Sequence, residues 1–374
     1  MHFSTTEALA SLGSIQSERT FASVLVSWYR QQDRQLPWRQ RFAATNDPFA
    51  VWVSEIMLQQ TTIAAVLPAY ERFFASFPDL YALAEATEAE VRIACRGLGY
   101  YRRFHFLHRA AQQLAAQYPL KMRWPRDFSS WRQLPGIGDY TAAAIASIAF
   151  GEPKGVVDGN VERVLCRLLD LRVVVDTRWK KPFQILVDSL IDPDAPGDFN
   201  QAFMELGQTV CTKQNPQCSV CPLVTVCRAY QNQSQALAPQ PKPKPVYEDV
   251  ILHLGVATSR DRLGLVPRHD QARFVKGTLG FPCAIEEKKR KLVWETPLSF
   301  PLSAKPLASF KHSITKHKIT VYLHFLGESR HPDKNMHWVL REEVEQQLVS
   351  NLDRKALKSF EKLQKRAIEG EASP

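Results

Sequence analysis

Apolar residues recur at intervals of three and four through the first 230 positions, as in Phe21, Val24, Leu25 and Tyr29, or Val164, Leu165, Leu168 and Leu171. That is the helical period. Proline and glycine interrupt it at Pro68, Pro78, Gly97, Gly99, Pro119, Pro135, Gly151 and Pro153. The pattern therefore predicts roughly ten short helices between Thr20 and Tyr230. Residues 231–245, QNQSQALAPQPKPKP, carry four prolines at alternate positions and few large apolar residues, which predicts an extended linker. Beyond it the period changes. Asp249–Val256 and Ile319–Phe325 are β-branched and aromatic and predict strands, while Val339–Leu348 reads as a helix. The fold class expected is a mainly α region followed by an α+β domain. The divisions are a polar leader over 1–19, a helical domain over 20–230, the linker over 231–245, the second domain over 246–350 and a basic tail over 351–374 that reads as a helix with a frayed end.

Charge and cysteine usage add to this. The chain has 374 residues and a net charge of +10, which points to a polyanionic partner, nucleic acid before membrane. No apolar run reaches the length of a membrane span, and residues 1–19 lack the basic start and apolar core of a signal peptide. The expected location is cytoplasmic and nucleoid-associated, or nuclear in a eukaryote, and the expected state is a monomer. Of the seven cysteines, Cys211, Cys218, Cys221 and Cys227 have the spacing C-x6-C-x2-C-x5-C. Four thiolates within 17 residues can close round one metal centre, either zinc or a 4Fe–4S cluster.

The segment Leu134-Pro-Gly-Ile-Gly-Asp-Tyr-Thr-Ala142 reads as a tight turn that opens a helix. Gly136 and Gly138 can take positive φ and leave backbone N–H groups uncovered, a site for a phosphate; a monovalent or divalent cation at the hairpin backbone is a separate expectation. Asp158, in Val156-Val-Asp-Gly-Asn-Val161, reads as the cap of the next helix.

Together, the hairpin, Asp158 and the cysteine quartet resemble the helix–hairpin–helix DNA glycosylases of the endonuclease III superfamily. Within that superfamily, Leu36-Pro-Trp-Arg39, Val53-Ser-Glu-Ile-Met-Leu-Gln-Gln-Thr61 and Gly97-Leu-Gly-Tyr-Tyr101 resemble the MutY family. The resemblance is dense from Leu36 to Cys227. It implies a six-helix barrel module, a module with one 4Fe–4S cluster per chain on the four cysteines, and a C-terminal Nudix-like domain. It also implies a double-stranded DNA partner containing adenine opposite 8-oxoguanine or guanine. The alternatives are an endonuclease III-type or thymine-mismatch glycosylase, and an inactive iron–sulfur DNA-binding protein.

Cleaving an adenine N-glycosidic bond requires a neutral acid and an ionised partner. Glu55 lies among Val53, Ile56, Met57 and Leu58, where burial raises a carboxyl pKa and keeps the proton that adenine N7 takes up. Asp158, as a cap, stays ionised and stabilises or bonds the sugar cation. Tyr140 occupies the position where the resemblance places a lysine in strand-cutting relatives; a phenol forms no Schiff base, so the product expected is an abasic site. Asn160 joins Tyr140 in holding the carboxylates and water. Tyr100 and Gln60 are the candidates to enter the base stack, and either can instead be buried packing. Thr61 is a further DNA contact, and Trp38, Arg39 and Gln201 are expected in the adenine pocket. Gln40–Asn46 is expected to lengthen the pocket rim. In the C-terminal domain the resemblance implies a lesion-reading loop at Phe310-Lys311-His312, with Lys311 in place of the family's serine; the same segment can instead be the edge of a β-hairpin. The acidic Nudix hydrolase signature is absent.

Overall fold

Capping residues and prolines set the helix starts. Asp47 accepts from Phe49 N at 3.0 Å with Pro48 in the first turn, Thr87 and Glu90 close a reciprocal capping box, and Asp127 and Asp158 cap two more helices. The computed structural model describes residues 18–32, 34–119, 123–243, 246–287, 291–302, 305–328 and 334–368. Its first helices are α1 (Glu18–Arg30), α2 (Pro37–Thr45), α3 (Pro48–Leu58), α4 (Ile63–Ser76), α5 (Leu80–Glu85), α6 (Glu88–Ala94) and α7 (Arg102–Gln117). They continue with α8 (Phe128–Arg132), α9 (Asp139–Phe150), α10 (Gly159–Leu168), α11 (Lys180–Leu190), α12 (Pro196–Thr209) and α13 (Arg228–Gln231). The leader expected over 1–19 lies outside the described residues except for Glu18 and Arg19, which begin α1. Residues 40–45 form the last turns of α2.

The chain divides into one unit of Met1–Glu85 with Arg102–Pro243 and a second of Ala86–Tyr101 with Lys244–Pro374. In the first unit α3 is buried from Pro48 to Met57 and packs against α2, α4, α7 and α9. Phe21, Leu25, Leu165, Phe199 and Phe203 form a second core between α1, α10, α11 and α12. The residues after α13 are pinned, where an extended linker was expected. Arg167 donates to the carbonyls of Gln235 and Ala238 at 3.1 Å each, and Gln240 N donates to Val173 O at 2.9 Å.

The second unit is built on β1 (Glu248–Ser259), β2 (Arg262–Pro267), β3 (Leu279–Gly280), β4 (Cys283–Glu286), β5 (Leu292–Trp294), β6 (Ala308–Ile314), β7 (His317–Glu328) and β8 (His337–Leu340). They form one mixed sheet. β1 runs parallel to β7 along its length and antiparallel to β4 and β2, while β6 pairs only with β7. Alternation puts Leu252, Leu254, Val321 and Leu323 on one face, and α15 (Asn351–Ile368) covers them with Leu352, Ala356, Leu357 and Phe360. The expected basic tail is therefore, as far as Ile368, a helix whose apolar side completes this core. Arg268 locks it by a bidentate pair with Asp353 at 2.8 Å, both side chains being almost fully buried. The helix expected over 339–348 begins later, as α14 (Arg341–Gln347), because His337–Leu340 pairs with β2.

Residues 86–101 join this second unit although their sequence lies within the helical half. Arg92 donates to Gly277 O, Arg96 to Gln346 O at 3.4 Å, and the Tyr101 hydroxyl to Val349 O at 2.6 Å.

Candidate active site

Between the two helical cores of the first unit lies a cavity of about 670 Å³. Trp38, Arg39, Glu55, Gln60, Thr61, Tyr140, Asp158, Asn160 and Gln201 all line it, so residues chosen from five separate stretches of sequence meet at one place. Phe42 and Ala43 line it too, so the stretch expected to lengthen the rim contributes through a helix.

Glu55 sits in the last turns of the buried helix α3 and is 7% exposed. Burial pushes its carboxyl pKa up to about 7; Tyr140 hydrogen-bonding pulls it back, Asp158 raises it and Arg39 lowers it. Its Oε2 is buried with no hydrogen-bond partner among the described residues. A carboxyl oxygen without a protein partner at a cavity wall is available to a ligand. The Tyr140 hydroxyl hydrogen-bonds the Glu55 carboxyl and lies 3.2 Å from Met204 Sδ, and burial followed by the two carboxylates drives its pKa well above the ordinary value. Tyr140 is thus a neutral donor.

Asp158 caps α10. Its Oδ1 accepts from Asn160 N and Val161 N at 2.8 Å each, and its Oδ2 accepts from Asn160 Nδ2 at 2.8 Å. Burial raises its pKa, opposed by these donors and by Arg163. Three donors aimed at one carboxylate solvate its ionised form.

Several residues of this site were not legible in the sequence. Arg163 donates from Nη2 to Asn160 Oδ1 at 3.0 Å and to Gly207 O at 2.6 Å, and from Nε to Cys211 O at 2.9 Å. It joins the Asp158 cap to the cysteine loop. Asn200, 1% exposed, accepts from Val156 N at 2.9 Å and donates to Lys154 O at 2.9 Å, fixing the approach to Asp158. Glu205 accepts from Arg39 Nη2 at 2.6 Å, Gln201 accepts from Arg39 Nε at 3.0 Å, and the guanidinium lies 5.0 Å from the Tyr29 ring centre. Arg103 donates to the carbonyls of Ile56 and Met57 at 3.0 Å and to Thr61 Oγ1 at 2.8 Å, holding the turn that carries Gln60 at φ +54°. The one local signal was Gly207. A Cβ there would lie 2.6 Å from Asn160 Cβ, which explains a glycine inside a helix.

The hairpin only partly matches expectation. Gly136 has φ +75°, and a Cβ there would lie 2.4 Å from Phe106 Cβ. Gly138 instead has φ −92° and ψ 176°, an extended cap that opens α9 without a left-handed turn. Neither glycine lines the cavity.

Cys211, Cys218, Cys221 and Cys227 are free thiols that line one small cavity with Arg167 and Gln235. Arg167 Nη1 donates to Cys211 Sγ at 3.3 Å and Gln235 Nε2 to Cys218 Sγ at 3.9 Å. Among the described residues no three side chains of this kind converge on a single-ion position. The shared lining and the all-thiol donor set are what fit a common metal centre.

In the second unit, Tyr100 is half exposed at φ +47°. Phe310, Lys311 and His312 do not form a loop. They lie in mid-strand β6 opposite Val321, Thr320 and Ile319, and the hairpin turns at Thr315 and Lys316. Alternation puts Lys311 on the opposite face from Phe310 and His312. Lys311 Nζ donates to Thr320 Oγ1 at 2.6 Å, while Phe310 packs against the core.

Among the described residues no helix is long and apolar enough to cross a membrane. Residues 53–174 match the family model described as the HhH-GPD superfamily of base excision DNA repair proteins. An adenine DNA glycosylase of Mus musculus is 45% identical over 239 residues, covering 62% of this chain and 46% of that protein. One of Homo sapiens is 47% identical over 226 residues, covering 58% and 41%. The chain spans about half the length of these curated relatives. Among solved structures, a thermostable thymine-DNA glycosylase superposes with a TM-score of 0.51 at 26% identity, covering 57% of this chain and 97% of that one. The helical half of this chain thus carries the segment typical of helix–hairpin–helix base-excision proteins, and among them it is similar to the adenine DNA glycosylases.

Proposed function

We propose that the chain is a monofunctional DNA glycosylase that removes adenine paired with 8-oxoguanine or guanine and leaves an abasic site. The observation that carries this reading is the cavity wall itself: a buried Glu55 with pKa about 7 and an unpartnered oxygen, beside a triply hydrogen-bonded Asp158, with Tyr140 where an amine would be needed for strand cutting. Similarity to named adenine DNA glycosylases supports it.

Protonated Glu55 gives its proton to adenine N7. The C1′–N9 bond breaks and its electron pair leaves with the base. Asp158 meets the positive charge on the sugar, as a counter-ion or through a covalent bond at C1′. Water then adds at C1′, displacing the Asp158 oxygen where that bond has formed so that the carboxylate leaves ionised, and the water's proton returns to Glu55, which balances the hydrolysis. Tyr140 and Asn160 hold the two carboxylates in register. Cys211, Cys218, Cys221 and Cys227 would hold a 4Fe–4S cluster, which would close the cysteine loop on itself; Arg163 and Arg167 link that loop to α10. The MutT-like role of the second unit in reading 8-oxoguanine, the monomeric state and a nucleoid or nuclear location belong to the same proposal.

The test is to incubate the full chain with duplexes carrying A opposite 8-oxoguanine, A opposite G and T opposite G. Free adenine from the first two, with strands intact until alkali is added, is the expected result. Thymine release, or cutting without alkali, would point to the thymine-mismatch or strand-cutting alternative.

A further inference from the structure

Helix α15 carries a feature that its core-packing role does not require. Its buried side fixes its rotation: Leu352, Ala356, Leu357 and Phe360 are each at most 4% exposed. At 100° per residue, Lys355, Lys358, Lys362, Lys365 and Arg366 then fall within an arc of about 100° on the opposite side. All five are exposed. The first-turn anion is internally consumed, since Asp353 is bound by Arg268. Glu361 stands at the margin of the arc. Lys358 lies 4.0 Å from Glu345, an exposed pair of little strength. Among the described residues Lys355, Lys362 and Lys365 have no carboxylate in salt-bridge range, and the nearby Arg354 is the cation that Glu345 holds most closely, at 2.9 Å. A stripe of five exposed cations whose direction is fixed by a dry core, with Asp353 bound elsewhere, is a preorganised polycationic edge.

We infer that this stripe is a docking surface for the phosphate backbone of duplex DNA, which adds a second, non-catalytic contact to the proposed glycosylase and rests on that reading. The dimensions agree. From Lys355 to Arg366 the helix rises about 16 Å, and one DNA strand presents a phosphate every ~3.4 Å of axis, so the stripe faces about five phosphates. Backbone contacts of this kind position a protein without reading sequence. The stripe therefore holds undamaged and damaged DNA alike, and its contribution falls steeply with salt.

The test compares full-length wild type with Lys355→Gln/Lys362→Gln/Lys365→Gln, measuring affinity for duplex with and without an A:8-oxoguanine pair from low to moderate salt. Each lost phosphate contact removes about one from the slope of log K against log salt. The expected result is a slope shallower by about 2 to 3 on both duplexes, with unchanged adenine release at saturating enzyme. A control, Lys276→Gln/Lys291→Gln/Lys334→Gln, removes the same charge from exposed positions elsewhere in the second unit and should leave the slope in place. An unchanged slope in the stripe variant, or an equal fall in the control, overturns the inference. So does loss of binding to anionic vesicles with DNA binding intact, which would assign the stripe to a membrane. If wild type releases no adenine, the glycosylase reading fails, and the slopes still decide whether the stripe holds DNA.

Discussion

Glu55 concentrates the consequences at the scale of single residues. Its carboxyl ionises near 4.5 in an unfolded chain and at about 7 when folded. Below pH 4.5 both states are protonated and no penalty exists. Between 4.5 and 7 the unfolded state ionises first, so folding stability falls as pH rises, and above 7 the loss levels off at about 3 kcal/mol. Glu55→Gln lacks this penalty. It should therefore unfold at a higher temperature than wild type at pH 8 and at nearly the same temperature at pH 4.5; calorimetry at the two values checks this. The same group sets the alkaline limb of activity near pH 7, and protonation of Asp158 sets the acid limb, so single-turnover adenine release should follow a bell with its upper edge there. Gly207→Ala should slow release by tenfold or more, since the new Cβ meets Asn160, while leaving duplex binding largely intact.

At the scale of elements, α10 and its surroundings explain why some of the site could be read from sequence and some could not. Asp158, Asn160 and Tyr140 stand in short motifs whose local geometry, a cap and a hairpin opening a helix, is set by neighbouring residues. Arg163, Asn200 and Arg103 act through hydrogen bonds to residues more than forty positions away, and nothing local marks them. Gly138 shows a different limit, because an extended cap opens a helix as well as a left-handed one does. At β6 the β-hairpin reading offered beside the lesion-reading loop is the one that the strand matches. Ala308, Phe310, His312 and Ile314 alternate with Ser309, Lys311 and Ser313, which is strand periodicity and separates Lys311 from its neighbours. Two predictions belong at this scale. Arg163→Gln should cut the link between the Asp158 cap and the cysteine loop, lowering both the rate of release and the cluster content read by its visible absorbance. Asp353→Ala leaves Arg268 buried and unpaired, and should destabilise the second unit by about 3–5 kcal/mol in denaturant unfolding.

At the scale of the whole molecule, the change of period after the linker correctly separated a helical half from a sheet-containing half. The sequence order of residues 86–101 gave no hint that they pack with the second unit, because their partners, Gly277, Gln346 and Val349, lie about 180 to 250 positions downstream. Helix α15 was read as a helical tail without a packing partner for the same reason: its apolar stripe is visible in sequence, but the sheet that it covers is not. In the proposed mechanism, catalysis falls to residues of the first unit alone. The measurement that tests it most directly is single-turnover release of adenine from an A:8-oxoguanine duplex by wild type, Glu55→Gln and Asp158→Asn, with binding measured on the same duplex. Release by wild type, a loss of at least a hundredfold in each variant and retained binding are the results expected. Undiminished release by Glu55→Gln would contradict the account.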